Sequence, residues 1–370
     1  MNNIMQKFFR YTCLLSCLII FSSCQTPQNP QIQAQIVEIA ILMPLTGSNA
    51  EIGKQYDELI KMGIKDGLDG NINVVSYDGS DEEQIAESMR KIIARKTKII
   101  LGPISSPLTS FISSEAEKNN IIIISMSNDP ALALPELFVF GHAPMKQLDQ
   151  IVNYYLDRRY ENFIALLPAG KHSVLVNKIL QAAIVKKNGA LMRSEFYDEN
   201  SESMSKSISI VSDSVDNLNE IESNTNKPIV FISDDSKNLT KLLSNTTAYS
   251  LDKKAIIVSD NRVDIDSLDP FNISFTGAMK KINSRIKEKA EELEINSLSY
   301  MHLLAYDLGN LAATYIGEKF EEQEFLAKMN SSRIFSGVSG RIHFTDSIAQ
   351  RDYDIIRKED GNYTNITREE

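Results

Sequence analysis

The 370-residue chain has no tryptophan, only three cysteines and four histidines, and modest glycine and proline, 16 and 11 residues. So little glycine and proline, set at no short period, excludes a collagen-like or low-complexity chain. Histidines 142, 172, 302 and 343 are scattered without ligand spacing. Two cysteines, Cys13 and Cys17, fall in an apolar leader, so neither a four-cysteine nor a two-cysteine, two-histidine zinc site can form. No metal and no cofactor is expected. Basic blocks are missing too: 39 Lys and Arg stand against 49 Asp and Glu, a formal charge of −10, which disfavours nucleic acid as a partner. No apolar run reaches the ~20 residues of a bilayer-spanning helix. What is present is a 42% apolar, 24% charged globular composition, long enough for two or three domains at ~100–200 residues each.

The N-terminus differs from the rest. Lys7 and Arg10 precede the run Leu14, Leu15, Leu18, Ile19, Ile20 and Phe21, which ends at Ser22-Ser23-Cys24. That order predicts a secretory signal over residues 1–23. The small-small-Cys ending resembles the bacterial lipobox, with Phe21 where Leu is usual, and implies cleavage before Cys24 and acylation of its thiol. Cys24 is then the single cysteine of the mature chain, which rules out an internal disulfide and a cysteine nucleophile in the folded body. Losing Lys7 and Arg10 takes the formal charge from −10 to about −12. Acyl chains at ~0.8 kcal/mol per buried methylene would hold the protein on a membrane. Residues 24–35 form a flexible tether: Gln25 to Gln35 reads QTPQNPQIQAQ, uncharged and rich in Gln and Pro, and reaches at most ~36 Å. Gln25 after the lipidated cysteine implies, by resemblance to other bacterial lipoproteins, sorting to the outer membrane.

Beyond the tether, strand-like and helix-like segments alternate. Ile36 to Met43 is a short apolar run, Ile52, Tyr56, Leu59, Ile60, Gly63 and Ile64 fall at helical spacing, and Ile72 to Tyr77 is extended. The same alternation runs through Lys98–Leu101 and Ile121–Ile124, whose unbroken β-branched runs suit strands covered on both faces. A second series follows: strands at Phe163–Leu167, Leu191–Tyr197, Pro228–Ser233 and Ala255–Ser259, with helices between. Asp198 to Lys227 is rich in Ser, Asn, Asp and Glu, so the helix around Ile208 is expected to be marginal and partly exposed. The fold class is α/β, two doubly wound parallel-sheet lobes. Ligands of such sheets meet the carboxyl ends of the strands, here the loops after Met43, Leu101, Met126, Leu167 and Ser233.

Catalytic signatures fail. GSNAEIGK at 47–54 has five residues between its glycines and Gln55 after Lys54, which does not make a phosphate loop. There is no G-x-S-x-G, H-E-x-x-H or G-x-G-x-x-G. The chain is read as a non-enzyme.

IAILMPLTGSNAEIGKQYDELIKMGIKD resembles the opening strand, loop and helix of type I periplasmic binding proteins of the Leu/Ile/Val-binding class. KIILGPISSPLTSFISSEAEKNNIIIISMSND is similar to that family's second landmark, and LSYMHLLAYDLGNLAATYI, FSGVSGRIHF and RDYDIIRKEDG resemble its closing helices and last crossing strands. The likeness is nearest to the penicillin-binding protein activators, outer-membrane lipoproteins that stimulate peptidoglycan synthases. It implies three crossings that act as hinge strands beside a cleft, with 36–141 and 274–348 in lobe one, 142–273 and 349–360 in lobe two, and 361–370 as a C-terminal tail.

In amino-acid-binding members, first-lobe hydroxyls and amides grip the α-carboxylate, while a second-lobe aromatic covers the ligand and a carboxylate meets its ammonium. Carried onto this chain, the cleft residues are Thr46, Ser105, Ser106, Ser127, Asn128, Asp129, Lys171, His172, Asp234 and Asp235. The second grip, usually Ser-Pro-Ser-Ala-Thr, is here Ser125-Met126-Ser127-Asn128-Asp129, which drops the threonine and adds a charge that repels an anion. His172, beside Lys171, stands where a covering Tyr is usual. Each has a second reading: Ser105 or Ser106 as a helix cap, Asn128-Asp129-Pro130 as a turn, His172 as a surface residue, Asp234-Asp235 as partners of a helix dipole. Two functions remain open: a penicillin-binding protein activator acting through protein contacts with a peptidoglycan synthase, or a substrate-binding lipoprotein delivering an amino acid or similar polar ligand to an ABC permease.

Overall fold

A computed structural model describes residues 37–68, 72–141, 144–198, 200–221, 226–234, 236–260, 271–277, 284–295, 298–317 and 320–367. The expected signal, the tether and the lipidation at Cys24 lie outside them, as does Asp235.

The chain begins with β1 (Val37–Met43), apolar except for Glu38 and buried on both faces. It continues through α1 (Ala50–Gly67), β2 (Ile72–Asp78), α2 (Glu82–Ala94), β3 (Ile99–Leu101), α3 (Ser106–Lys118), β4 (Ile122–Ser125) and β5 (Leu137–Val139). Asp81 starts α2 by accepting a 2.9 Å bond from the Gln84 amide, and Glu82 and Glu83 add negative charge at the positive end of the helix. β1 to β5 pair parallel in the order β2-β1-β3-β4-β5.

The chain then builds a second sheet: α4 (Pro144–Asp157), β6 (Asn162–Pro168), α5 (Lys171–Lys186), β7 (Ala190–Tyr197), α6 (Ser201–Asn219), β8 (Ile229–Ile232), α7 (Ser236–Ala248), the single turn α8 (Leu251–Lys254), β9 (Ile256–Ser259) and β10 (Ile273–Gly277). It returns through α9 (Ser284–Glu292), α10 (Tyr300–Ile316), α11 (Glu322–Met329), β11 (Phe335–Ser336), β12 (Arg341–Thr345) and β13 (Ile348–Asp352), and ends with β14 (Asp354–Glu359) and β15 (Asn362–Asn365). Among the described residues the first sheet is β11-β12-β13-β5-β4-β3-β1-β2 and the second β15-β14-β10-β9-β8-β6-β7. Both are mostly parallel with antiparallel strands at one edge.

Each sheet carries apolar packing on both faces, which is why its strands read as unbroken apolar runs. The α1 and α10 face of the first sheet holds Ile39, Ile41, Leu59, Ile60, Leu304 and Leu308, and the α2 and α3 face holds Leu42, Ile85, Ile92 and Ile112. In the second sheet, one face packs Ile164 and Leu166 on α6 and α7, and the other packs Ala165 and Leu167 on α4 and α5.

The structure differs from the sequence expectations at three places. The helix around Ile208 is partly exposed as expected, through Glu202, Lys206, Asp213 and Asn217, but it is not marginal: α6 runs 19 residues, and Met204, Ile208, Val211 and Val215 are fully buried. Four apolar residues at spacings of four, three and four make a complete stripe, and Asn200 caps the helix through the Ser203 amide at 2.8 Å. The strand that contains residue 274 is β10, which pairs with β9 and β14 in the second sheet, so the chain leaves that sheet only after Gly277. At the last crossing, β13 stays in the first sheet to Asp352, and the expected tail from 361 contains β15.

Candidate functional site

The sequence places the candidate site at the carboxyl ends of the parallel strands. In the first sheet, the loop after β1 is held by Asp78 at the end of β2. Asp78 accepts bonds from the Leu45 amide at 2.9 Å, the Thr46 hydroxyl at 2.6 Å and the Ser80 amide at 3.1 Å. Partial burial pushes its carboxyl up, but the bonds from Thr46, Leu45 and Ser80 outweigh it and hold Asp78 below its ordinary range. Thr46 is exposed and also lies 3.0 Å from the Ser80 hydroxyl. Thr46 is thereby a loop brace as well as a surface hydroxyl. Sequence reasoning missed Asp78 and Ser80, although Asp78-Gly79-Ser80 after a strand is a turn signal.

The ends of β3 and β4 form one hydroxyl network. Ser106 Oγ and Ser127 Oγ are 2.6 Å apart, and Ser127 Oγ also accepts from the Asp129 amide at 3.1 Å. Behind them, buried Ser125 donates to the Pro103 carbonyl at 2.9 Å, accepts from the Ser127 amide at 3.0 Å and sits 2.7 Å from Thr109 Oγ1. Ser105 is the N-cap residue of α3 but makes no side-chain cap bond, and the Ser106 hydroxyl goes to Ser127. Asp129 caps the short 3₁₀ turn Pro130–Leu132 through the Ala131 amide at 3.0 Å, the expected turn chemistry. Asn128 is exposed beside it.

In the second sheet, Asp234 follows β8 and is 6% exposed; its Oδ2 accepts from the Tyr197 hydroxyl at 2.5 Å. Ser233 donates to Asp260 Oδ2 at 2.5 Å beyond β9, in an equally buried place. These two buried carboxylate–hydroxyl pairs were not legible in the chain, because Tyr197 and Asp260 lie 37 and 27 residues from their partners. Lys171 is exposed at the start of α5, and His172 occupies the first turn of that helix. Among the described residues, no cluster of three His, Cys, Asp or Glu could hold a metal ion. No described helix is long and apolar enough to cross a membrane.

Comparison with known families finds one that covers more than half of the chain: residues 36–257 fit the model described as periplasmic binding protein. The chain belongs to the periplasmic binding protein family. It is 47% identical over 374 residues to the uncharacterized protein RP748 of Rickettsia prowazekii (strain Madrid E), covering all of both chains. It superposes on a putative branched-chain amino acid ABC transporter protein from Rhodospirillum rubrum with a TM-score of 0.69 at 14% identity, over 89% of this chain and 99% of that one. The C-domain of LpoA from Haemophilus influenzae, a regulator of PBP1A, matches at 0.63 and 16% identity over 89% and 99%. Full-length LpoA from the same organism matches at 0.61 and 14% over 90% of this chain, which spans 59% of that longer protein. At these identities the solved structures establish the type I periplasmic-binding-protein fold.

Proposed function

We propose that this protein is a non-enzymatic, lipid-anchored periplasmic protein that activates peptidoglycan synthesis by docking on a penicillin-binding protein. The observation that carries this reading is the hydroxyl network of the first lobe: Ser106 and Ser127 bond to each other at 2.6 Å, with Asp129 next to them. That bond takes up one of the two hydroxyl protons, so a ligand carboxylate meets one donor rather than two unless it breaks the bond, at ~0.5–1.5 kcal/mol, and it approaches a carboxylate, so the site is poorly suited to capture an amino acid. Asp234 and Ser233 are likewise engaged with Tyr197 and Asp260. The fold likeness to LpoA supports docking, and Cys24 supplies the anchor that keeps the body near its membrane.

A second reading, a substrate-binding lipoprotein serving an ABC permease for amino acids or similar polar ligands, is favoured by buried Asp234 at the end of β8, where a carboxylate could meet an ammonium. Calorimetry with the branched-chain and polar amino acids, beside a glycan-polymerisation assay on a peptidoglycan synthase from the same cell, separates the two. The activator reading expects no saturable heat and a faster synthase. Saturable amino-acid binding with an unchanged synthase would overturn it.

A further inference from the structure

β7 ends the second sheet: it pairs with β6 along Ala190–Tyr197 and has no strand on its other side among the described residues. The Tyr197 carbonyl accepts from the Ala169 amide beside β6, so the alternation of a strand turns the backbone groups of Ser194, three positions away, out from the sheet. An open edge of this kind is a template for a further strand. Two features usually protect an edge, and β7 has both. The ladder with β6 shifts between Phe163 and Ile164, which leaves Met192 as the extra residue of a bulge, and the strand carries the charges Arg193 and Glu195. Charges of one sign protect an edge from its own copy, because pairing sets like against like. Here the signs are opposite.

Arg193 and Glu195 stand two residues apart, on one face of the strand. Arg193 is exposed, and its Nη1 comes no nearer than 3.8 Å to Glu195 Oε2, which leaves room for a better partner; Glu195 Oε1 accepts from the Ser207 hydroxyl at 3.2 Å. A two-fold axis through one residue of β7 pairs the strand antiparallel with itself and keeps like faces together. Centred on Arg193 it sets two arginines opposite each other, and centred on Glu195 two glutamates. Centred on Ser194 it sets Arg193 of each copy opposite Glu195 of the other, twice. The same register brings Met192 to the level of Phe196, both exposed although large and apolar. On the α5 side, Ser194 donates to Asn177 Oδ1 at 2.8 Å, and the helix flank just beyond Asn177 carries Val174, Gln181 and Val185, all exposed. Continuing the sheet through the axis brings that flank toward its copy and covers both valines.

We propose that this edge pairs with a second copy of the chain, β7 against β7, antiparallel about Ser194, so that two seven-stranded sheets become one. The pairing lies away from the strand-end hydroxyls and does not depend on what those loops recognise. Sedimentation equilibrium of the full chain in density-matched detergent tests it. The parent is expected to dimerise. R193E and E195R are each expected to weaken association ~10-fold or more, because each sets like charges opposite at two symmetric places, and R193E/E195R is expected to return it to within a few-fold of the parent. Arg193 is exposed, so R193E reports on pairing with the core intact. A parent still monomeric at ~100 μM, a dimer that both single reversals leave unchanged, or a double reversal as weak as the singles would overturn the proposal.

Discussion

Arg351, at the end of β13, donates through Nη1 to the carbonyl of Gly141 at 2.8 Å, binding the last crossing of the chain to the first. Its second amino group bonds the Phe140 carbonyl, and the guanidinium lies 4.8 Å from the Phe140 ring. Two residues on, the Tyr353 amide donates to Gln150 Oε1 at 3.2 Å, and Gln150 returns a bond to the Tyr353 carbonyl. Gln147, one turn earlier on α4, bonds Thr276 on β10. One arginine and two glutamines thus connect segments at all three passages between the sheets.

Replacing Arg351 by methionine is expected to lower stability by about 3 kcal/mol, because two buried carbonyls lose a charge-assisted donor. Lysine should recover less than half of this, since one ammonium cannot reproduce the planar fork that reaches both carbonyls. Urea unfolding of the two variants beside the parent checks the order; equal loss for both would contradict the fork geometry.

A second close relationship sets the spacing of α1 and α10. A β-carbon on Gly309 would sit 2.1 Å from the Ile60 carbonyl oxygen, and one on Gly63 would sit 2.0 Å from that of Tyr306. Both helices approach backbone to backbone, so G309A should cost about 3 kcal/mol or more by forcing them apart. G47A, at φ +74° with open space around it, should cost only ~1–2 kcal/mol from backbone conformation. Thermal melting of the pair measures the contrast, and comparable losses would remove the packing argument.

Two buried groups on α10 titrate in opposite senses. Burial lowers His302 from 6.5 to about 4; its Nδ1 accepts from the Ser299 amide at 2.9 Å, and Nε2 lies 3.2 Å from Gln55 Oε1. Burial raises Asp307 from 3.8 to about 6, against bonds from Ser339 and Val338 and the nearby Arg351 charge that favour ionisation. Between pH 4 and 6 the folded state holds fewer protons than the unfolded chain at His302, which makes stability rise with pH there. At Asp307 it holds more, which makes stability fall with pH over the same window. The two slopes, each up to ~1.4 kcal/mol per pH unit, oppose one another. Relative to the parent, H302Q should therefore tilt the pH 4–6 stability profile downward with rising pH, and D307N should tilt it upward. Denaturant unfolding at half-unit pH steps reads both signs; parallel profiles for all three proteins would refute the assignment.

Much of the architecture was legible in the chain. The runs at Val37–Met43 and Ile122–Ser125 read as two-sided strands because burial on both faces removes the polar alternation of an exposed sheet. α6 was misread because serine, asparagine and aspartate dominate its composition while its core contact is carried by the narrow stripe Met204, Ile208, Val211 and Val215. The strand after Tyr353 was assigned to the second lobe, but that segment was started too early, at 349, because β13 and β14 have similar half-buried patterns, and which sheet a strand joins depends on partners in distant parts of the chain. At the candidate site, Ser106 and Ser127 were both named from the chain, but not as each other's partners, because their bond joins residues 21 apart.

The sequence by itself determined the alternation of strand and helix, the apolar faces and the family, because these follow from local periodicity and from motifs contiguous in the chain. Only the tertiary structure decided that the strand-end hydroxyls bond one another, that Asp234 meets Tyr197, and that Arg351 reaches Gly141. Those are contacts between residues distant in sequence, set by how two twisted sheets and their covering helices pack, and no local pattern encodes them.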